Sequence, residues 1–435
     1  MKLKTSGQAA RPQQRPGYLF VLPWSLDHLG GVNEVVKNLI RHMLAEARMV
    51  PLVMDGTLPN GDANGSGVEK PSISLWGPWD ELRPARAMIS FLIWLPVRLW
   101  KLYRLVKAKN ILVINPHFPT LSCLHFALLK RLGLFRGKLI LSFHLNDIRM
   151  AGQLKGWSRQ LWKMLLRAAD VMVTPCEDLK KDIRLLDGSC QGRLVRISNG
   201  VTVEQFNRTF HELDRLPLSI RSKKVVLSIG KFEERKGHDI VIRAFQRVAK
   251  RCPAACLVLV GGAGPAKEAI AGLIRDCALE TQTYLIEDVP HDRIPIYLHH
   301  AEVFVLASRA EAAPLVLLEA AASRTAVVAT KASGVEEMIT DRVTGRLVAV
   351  DDHVGVAEAV VDLLENPGKA EQLAANLYKY VSENLTWKHT YEGYLSLLGF
   401  QDQRLAHKGE AGREQGRDTD SAESPTFARC RNTSF

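Results

Sequence analysis

Short apolar runs alternate with longer amphipathic stretches along most of the chain. In the first half the apolar runs lie at 18–23, 111–114, 138–143, 171–174 and 194–197. Stretches with helical spacing, such as 32–44 and 157–169, separate them. Strands that are apolar on both faces and separated by helices are typical of a parallel sheet covered on both sides. The first half therefore predicts a doubly wound α/β domain.

The same alternation begins again in the second half. Apolar runs follow at 225–229, 256–260, 283–286, 303–306 and 326–329. This pattern predicts a second parallel sheet of the same kind. Two such domains would face each other across a cleft at the carboxyl ends of their strands, where sheets of this class bind ligands.

These patterns also predict the domain boundaries. Residues 206–224 are polar and irregular and contain Pro217, which is typical of a linker, and the residues from 401 onward are strongly polar, which predicts disorder. The predicted parts are a polar tail at 1–16, a first Rossmann-like domain at 17–205, the linker at 206–224, a second Rossmann-like domain at 225–385, a helix returning to the first domain at 386–400, and a disordered tail at 401–435.

The two halves of the chain carry different charges. The net charge is +12 over 435 residues. Residues 1–200 hold 29 Lys and Arg against 14 Asp and Glu, near +15, and the remainder holds 29 against 32, near −3. One domain is therefore basic and the other is not, so we expect them to have different partners. The alternative is that the basic residues only keep the surface soluble.

The cysteines and the apolar runs suggest where the protein works. Seven cysteines without a CxxC pair indicate reduced thiols in a reducing compartment. The N-terminus is polar and basic, unlike a signal peptide. The longest apolar run, at 88–100, is too short to span a bilayer and contains Pro96 and Arg98. These features predict a cytoplasmic protein.

One segment of the basic half combines apolar and basic residues. Residues 87–109 mix Trp, Phe, Leu and Ile with five Lys and Arg. This composition suits the surface of an anionic membrane. The alternative, a helix packed on the first sheet, is equally compatible with the pattern.

The strongest chemical signal follows the apolar run at 303–306. Glu311 and Glu319 flank Pro314, and proline suits the first turn of a helix. The N–H groups of Leu315 and Val316 would then point out of a helix N-terminus and form an anion site. The segment can thus offer two carboxylates and a phosphate-binding helix end. The alternative is two solvated glutamates on an Ala-rich helix.

A second signal follows the first strand of the second domain. Lys231 and Lys236 lie in the loop after the run at 225–229 and would bring two positive charges to the cleft. A departing diphosphate needs such compensation from protein cations or from a metal. The alternative is an ordinary charged loop.

Weaker signals come from the ends of strands in the first domain. Gly30 and Gly31 would let backbone approach a phosphate or a sugar closely. His117, His144 and Asn199 follow predicted strands, where a polar side chain can reach a hydroxyl group in the cleft. Each of these histidines can equally be structural.

Together these segments resemble a known family. The chain is similar, over about residues 18–398, to the retaining glycosyltransferases of family 4, which have the GT-B fold of two Rossmann-like domains. The resemblance rests on Gly30-Gly31, 199–206, 230–237, 261–265 and 311–319, together with 334–337 and 344–345, in the order and spacing of that family.

The resemblance implies roles for the charged residues of the second domain. Glu311 matches the glutamate that contacts the transferred sugar and supports the reacting centre. Glu319 matches the glutamate that holds the ribose of the nucleotide. Lys231 and Lys236 match the basic pair on the diphosphate.

It also implies roles in the first domain and a mechanism. Gly31, next to Gly30, matches the glycine whose backbone meets the phosphate, and His144 matches the histidine near the sugar. Such enzymes generally use neither a bound metal nor a covalent nucleophile. The acceptor attacks on the face that the departing phosphate occupies, and the phosphate takes the proton. The basic first domain would carry the acceptor.

Some positions depart from the family pattern. Lys231 replaces the usual Arg and loses its bidentate fork. Ala312 and Ala313 replace the usual Gly-aromatic pair, which reshapes the sugar pocket. Ser323 and Arg324 stand where the family has a small glycine. We expect these differences to affect the choice of donor sugar more than activity.

The predicted function is transfer of a sugar from a UDP- or GDP-linked donor to a lipid-linked saccharide or a growing polysaccharide, with retention of configuration. The predicted site has no metal or other cofactor, and nucleic acid is not expected as a partner. Two alternatives stay open: a nucleotide-sugar epimerase on the same fold, and a non-catalytic scaffold.

Overall fold

The computed structural model describes residues 15–28, 30–56, 68–78, 83–207, 216–262 and 264–399. The predicted tail at 401–435, most of the predicted tail at 1–16 and residues 208–215 of the predicted linker lie outside these ranges. The described residues up to Tyr394 form one compact unit, and a second unit begins at Leu395.

The first sheet lies in the N-terminal half. Within the described residues it has six parallel strands in the order β2-β1-β3-β4-β5-β6. The strands are β1 (Gly17–Val21), β2 (Val50–Met54), β3 (Ile111–Pro116), β4 (Lys138–Ser142), β5 (Val171–Thr174) and β6 (Leu194–Arg196). The chain first adds β2 on one side of β1 and then returns to add β3 on the other. This reversal creates a crevice between the carboxyl ends of β1 and β3.

Helices cover both faces of the first sheet. They are α1 (Gly31–Glu46), α2 (Pro84–Ala108), α3 (Leu124–Arg131), α4 (Asn146–Gln153), α5 (Gly156–Ala168) and α6 (Glu177–Leu186). Residues of β1, β3 and β4 such as Leu19, Ile114 and Leu139 are fully buried in the core that these helices close. The near-continuous burial along the strands agrees with the apolar runs from which they were predicted.

The second half folds in the same way. Its helices are α7 (Val203–Phe206), α8 (Leu218–Arg221), α9 (His238–Arg251), α10 (Lys267–Asp276), α11 (Ile294–His300), α12 (Leu315–Ala322), α13 (Ser333–Glu336), α14 (His353–Glu365), α15 (Pro367–Asn384) and α16 (Trp387–Ser396). Its strands are β7 (Lys224–Ile229), β8 (Ala255–Gly261), β9 (Thr283–Glu287), β10 (Ala301–Leu306), β11 (Ala326–Thr330) and β12 (Arg346–Val348).

The order of these six described strands is β12-β11-β10-β7-β8-β9, and all of them are parallel. The order reverses between β7 and β10, so the loops that follow these two strands flank the crevice of the second sheet. The predicted segment at 230–237 forms the first of these loops, and the predicted segment at 311–319 runs from the second loop into α12.

The last helix begins close to the first sheet. Val201 pairs with Thr386 in an isolated parallel bridge. In α16, Thr390 donates a hydrogen bond to the carbonyl of Ser198 at 2.9 Å, and the hydroxyls of Tyr394 and Ser142 lie 2.9 Å apart. Residues far apart in the chain thus meet at the carboxyl ends of the first sheet. None of the helices described here has a stretch that is both long and apolar enough to cross a bilayer.

Candidate active site

A cavity of about 430 Å³, here called the cleft cavity, lies between the carboxyl ends of the two sheets. It contains nine of the eleven candidate residues that the sequence indicated: Gly30, Gly31, His144, Asn199, Lys236, Glu311, Leu315, Val316 and Glu319. Arg235 and His291, which the sequence did not indicate, also line it. Residues separated by up to 289 positions are brought together here because the two sheets present the same edge to the cleft.

His117 is one of the two candidates outside the lining of the cleft cavity, and Lys231 is the other. Its ammonium lies 4.0 Å from a carboxylate oxygen of Glu233, and 54% of its side chain is exposed. The chain then makes a 3₁₀ turn at Glu234–Lys236, which directs Lys236 into the cavity. The structure therefore separates the two lysines that the sequence paired.

Glu311 is a buried carboxylate of the cavity that several polar side chains contact. The residue is only 6% exposed. Its Oε1 accepts hydrogen bonds from Lys236 Nζ at 2.7 Å and from Ser308 Oγ at 2.8 Å, and Arg235 Nη1 lies 3.5 Å away. All these contacts fall on Oε1, which leaves Oε2 without a partner among the described residues. Glu311 is thus fixed on one side and open on the other.

The charge of Glu311 follows from these contacts. Burial raises the pKa of its carboxyl, but the charges of Lys236 and Arg235 and the hydrogen bonds from Lys236 and Ser308 outweigh burial and hold the pKa below its ordinary value. The group is therefore ionised at neutral pH, deep in a cavity that opens toward a ligand.

Two glycines allow the loops around Glu311 to pack closely. Gly237 has φ of +66°, and a Cβ there would lie 2.0 Å from the carbonyl oxygen of Ala307. Gly334 donates its N–H to the carbonyl of Glu311 at 3.1 Å, and a Cβ there would lie 1.6 Å from the carbonyl oxygen of Ala312. A larger residue at either position would push the loops apart.

The N-termini of two helices open into the cavity. α1 begins at Gly31 and α12 begins at Leu315, and no side chain caps either helix. A Cβ on Gly31 would lie 3.7 Å from Leu315 Cδ1, so the two helix ends approach each other across the cleft. Uncapped N–H groups at helix N-termini attract anions. The two helix ends line the same cavity as Lys236, so an anion bound there would meet several hydrogen-bond donors.

Glu319 lies in α12 with a partner that the sequence did not suggest. His291 Nε2 is 2.8 Å from Glu319 Oε1. The hydrogen bond that His291 donates to the Glu319 carboxylate raises the pKa of His291. His291 follows strand β9 and Pro290, so the rule that picked out polar residues after strands in the first domain would also have found it.

Asn199 joins the two halves of the cavity. Its Nδ2 donates a hydrogen bond to the carbonyl of Ala313 at 3.0 Å, from the end of the first sheet to the loop before α12. Ala312 and Ala313, the residues that depart from the family pattern, are both buried and both line the cavity. They shape its wall with methyl groups only.

His144 lines the cavity from the first sheet, on a strained turn. Leu145, the next residue, has φ of +119°, which is costly for a residue other than glycine. The carboxylate of buried Asp147 accepts the N–H groups of His144 and Leu145 at 2.9–3.1 Å and so stabilises this turn. Burial raises the pKa of Asp147 to about 7, although the backbone N–H groups counteract it.

A second cavity, here called the α2 cavity, opens at the crevice between β1 and β3. Its volume is about 650 Å³, and α2 forms one wall. Aromatic and basic side chains line it, among them Trp76, Arg86, Phe91 and Phe118. Phe118 also lines the cleft cavity, so the two cavities are neighbours. Among the residues that the structure describes, no group of three or more His, Cys, Asp or Glu side chains is arranged to hold a metal ion.

Family models match both halves of the chain. The model described as Glycosyltransferase Family 4 matches residues 29–205, and the model described as Glycosyl transferases group 1 matches residues 212–380. These two stretches contain every residue of the cleft cavity named above.

The chain belongs to the group 1 glycosyltransferases of family 4.

Curated relatives of this glycosyltransferase share a modest part of its sequence. A GDP-mannose-dependent alpha-(1-6)-phosphatidylinositol monomannoside mannosyltransferase of Mycolicibacterium smegmatis is 30% identical over 38% of this chain and 45% of its own length. A glycogen synthase of Mycobacterium tuberculosis is 26% identical over 55% of this chain and 58% of its own length. The chain thus spans about half the length of the curated relatives it matches.

Solved structures confirm the predicted fold class. A sucrose-phosphate synthase from Thermosynechococcus elongatus superposes with a TM-score of 0.69 at 21% identity, covering 91% of this chain and 100% of its own. Anabaena HepE in complex with UDP and glucose gives a TM-score of 0.69 at 16% identity, covering 88% of this chain and 100% of its own. The two six-stranded sheets of the described residues form the two-domain α/β GT-B fold.

Proposed function

We propose that this glycosyltransferase moves a sugar from a nucleoside-diphosphate donor to an acceptor hydroxyl and retains the anomeric configuration. One observation carries the proposal: an ionised, buried Glu311 lies beside Lys236 and next to two uncapped helix N-termini in a single cavity. This arrangement combines a carboxylate for a sugar hydroxyl with positive charge for a diphosphate. Positive charge alone would suit any anion, and a carboxylate alone would suit any hydroxyl; a nucleotide sugar needs both.

The diphosphate would lie between Lys236 and the N-termini of α1 and α12. Lys236 and Arg235 are two cations on the second domain, and the N–H groups of Leu315 and Val316 add hydrogen-bond donors. Together they would stabilise the negative charge that develops as the bond to the sugar breaks. Nothing in this scheme requires a metal, and we expect turnover without one.

Glu311 would hold the sugar through Oε2. With Oε1 fixed by Lys236 and Ser308, Oε2 can accept a hydrogen bond from a sugar hydroxyl and stabilise positive charge at the anomeric carbon. In the proposed step, the bond from that carbon to the phosphate oxygen breaks and the acceptor oxygen bonds the same face. The acceptor proton passes to the departing phosphate. Glu319 would hold the ribose of the nucleotide beside His291.

The names of related proteins support a UDP- or GDP-linked donor. HepE was crystallised with UDP and glucose, and the mycobacterial mannosyltransferase depends on GDP-mannose. Ala313 stands where the family pattern has an aromatic residue, so the wall at this point leaves extra room for the sugar. We expect the donor sugar to be a hexose.

The acceptor would occupy the α2 cavity. That cavity adjoins the cleft cavity at Phe118, so a hydroxyl bound there is placed next to the donor sugar. Its aromatic side chains suit the apolar faces of a sugar or a lipid, and Arg86 suits a phosphate. A lipid-linked saccharide combines all of these groups, and a growing polysaccharide would use the aromatic walls alone.

Helix α2 would also hold the protein on an anionic membrane. Its buried face includes Phe91, Leu99 and Leu102. The opposite face exposes a stripe of apolar side chains, each 43–66% accessible: Ile89, Leu92, Ile93, Trp94, Val97 and Trp100. Arg104 lies over the ring of Trp100, at 4.8 Å from its centroid. Exposed apolar stripes beside basic residues are typical of helices that lie in a membrane interface.

The membrane proposal predicts selective binding to anionic vesicles. Ile93→Asp should weaken cosedimentation with phosphatidylglycerol-containing vesicles at low salt by about tenfold, because burying an isoleucine in lipid contributes roughly 1.5–3 kcal/mol. Leu185→Asp is the matched control, since Leu185 is 80% exposed on α6, away from the stripe. Equal binding of both variants, or no preference for anionic over zwitterionic vesicles, would contradict this part of the proposal.

The donor site itself is tested by calorimetric titration of the purified protein with UDP, GDP and ADP in the absence of metal. Binding of UDP or GDP with one site per chain is expected, and the tighter ligand identifies the base of the donor. A protein that binds none of the three would favour the scaffold alternative over the transferase.

A further inference from the structure

A chain of buried polar side chains connects helix α16 to the cleft cavity. The hydroxyl of Tyr394 lies 2.9 Å from Ser142 Oγ, and Ser142 Oγ donates to Asn115 Oδ1 at 2.9 Å. Asn115 Nδ2 then donates to the hydroxyl of Tyr18 at 2.8 Å. These four residues are each less than 7% exposed. Buried polar groups that are all satisfied in this way are rigid and specify one arrangement.

The chain continues through two histidines to the cavity. Asn115 Nδ2 lies 3.1 Å from His117 Nε2, and His117 Nδ1 lies 3.1 Å from His144 Nε2. His117 is fully buried and lines the α2 cavity, whereas His144 lines the cleft cavity. The Nδ1 of His144 is its remaining ring nitrogen and has no hydrogen-bond partner among the described residues.

Both histidines are neutral at physiological pH. Burial, and then the neighbouring His144, lowers the pKa of His117 well below its ordinary value. Burial lowers the pKa of His144 to about 4. A neutral imidazole carries one proton, so the hydrogen bond between the two rings has a single direction that depends on the rest of the chain.

The hydrogen bonds from Tyr394 to Asn115 determine the direction of the bond between the two rings. The Oδ1 of Asn115 can only accept, so Ser142 donates to it and in turn accepts from the hydroxyl of Tyr394. The two hydrogens on Asn115 Nδ2 point to Tyr18 and to His117 Nε2. His117 Nε2 is therefore an acceptor, and the ring proton of His117 lies on Nδ1.

We propose that Tyr394, Ser142, Asn115 and His117 are positioning residues that hold His144 as the tautomer protonated on Nδ1. His117 donates through Nδ1 to His144 Nε2, so the proton of His144 lies on the one nitrogen that is free for a ligand. His144 then offers the cleft a hydrogen-bond donor and has no lone pair with which to take a proton.

The tautomer determines whether His144 can donate or accept a hydrogen bond in the cleft cavity. Its consequence for catalysis rests on the proposed function. A donor on Nδ1 can bind an oxygen of the sugar or of the phosphate. It cannot act as the general base for the acceptor hydroxyl, so the leaving phosphate remains the group that takes the acceptor proton. Helix α16 would also influence the site, because Tyr394 supplies the first hydrogen bond of the chain.

The tautomer is measured directly by two-bond ¹H–¹⁵N correlation spectra of the full-length protein labelled with ¹⁵N-histidine. The signals of His144 and His117 are assigned from the spectra of His144→Gln and His117→Gln. Wild-type protein should show His144 with its proton on Nδ1 and an unprotonated Nε2. A proton on Nε2 would mean that the Asn115 amide and every bond after it run in the opposite direction, and would overturn the proposal.

Substitution of Asn115 tests whether the chain sets the tautomer. Asn115→Leu removes the donor to His117 with little change of volume, and a second His144 signal with the proton on Nε2 should appear. Tyr391→Phe serves as a control, because its hydroxyl lies on α16, the helix of Tyr394, but makes none of the hydrogen bonds that link Tyr394 to His144. A single unchanged tautomer in Asn115→Leu would refute the positioning role.

These spectra need no substrate, so they separate two failures. If the protein proves not to transfer sugars, the measured tautomer stands. If His144 instead carries its proton on Nε2, the tautomer proposal fails, but the proposal that the protein transfers sugars is untouched. If Asn115→Leu fails to fold, the wild-type spectrum alone still decides the direction of the chain.

Discussion

Lys236→Ala should weaken binding of the preferred nucleoside diphosphate by about 10- to 100-fold. The ammonium of Lys236 lines the cleft cavity, and only 16% of its side chain is exposed. A hydrogen bond to a charged group in such a site contributes about 1.5–3 kcal/mol, which corresponds to one to two orders of magnitude in the dissociation constant. Calorimetric titration of wild type and variant without metal measures the difference.

Lys231→Ala is the matched control for this experiment. It removes the same charge from the same loop, but the Lys231 side chain is more than half exposed and lies outside the cavity. We expect a change of no more than about twofold, as for an exposed charge in high dielectric. Equal losses in the two variants would show that the diphosphate is held as the family resemblance implied, by both lysines, and that the loop moves when the nucleotide binds.

Glu311→Gln should lower kcat by about 100- to 1,000-fold while leaving nucleoside-diphosphate affinity within a few fold. The substitution keeps the shape of the side chain and removes the charge that the proposed mechanism places beside the anomeric carbon. Removal of one preorganised electrostatic contact to a transition state typically costs this much. Because Lys236 no longer pairs with a carboxylate, it becomes more available to the diphosphate, and affinity should not fall.

Release of nucleoside diphosphate from the donor measures kcat, and titration measures affinity. Glu365→Gln is a suitable control. Glu365 pairs with Arg251 on the surface and does not line the cleft cavity. An unchanged kcat in Glu311→Gln would remove Glu311 from the mechanism. A parallel loss of binding and thermal stability would instead show that this buried carboxylate mainly holds the fold.

Most strands could be predicted from the sequence because their residues are buried on both faces. The apolar run at 256–260 lies within β8, all of whose seven residues are buried. Two edge strands were missed for identifiable reasons. β2 contains Pro51, which a strand tolerates only at an edge, and β12 has three partly buried residues that produce no periodic pattern. β12 buries little and leaves a weak signal, whereas β2 is largely buried and was missed because proline argues against a strand.

The candidate site could be predicted in part for the same physical reason. Residues that follow parallel strands meet at one edge of a sheet, so the placement of Glu311, Lys236 and His144 after strands was informative. The orientation of a loop side chain depends on local turns that spacing does not reveal. The 3₁₀ turn and the positive φ of Gly237 separate Lys236 from Lys231, and no pattern in the sequence distinguished the two lysines.

Contacts between segments that are distant in the chain could not be predicted from the sequence. His291 pairs with Glu319 across 28 positions, and Ser142 meets Tyr394 across 252. The family resemblance gave roles to single residues but none to Arg235, His117 or Tyr394. These side chains gain their meaning only from neighbours that the fold supplies.

We propose that this glycosyltransferase transfers a sugar from the nucleotide sugar that binds in the cleft cavity. The most direct measurement incubates the protein with the corresponding nucleotide sugar, labelled in the sugar, and with anionic lipid-linked or polysaccharide acceptors, and then analyses the products. We predict that label moves to an acceptor with the anomeric configuration of the donor, and that Glu311→Gln slows this transfer by about 100- to 1,000-fold. Label that remains on the nucleotide, unchanged or as an epimer of the donor sugar, would contradict it.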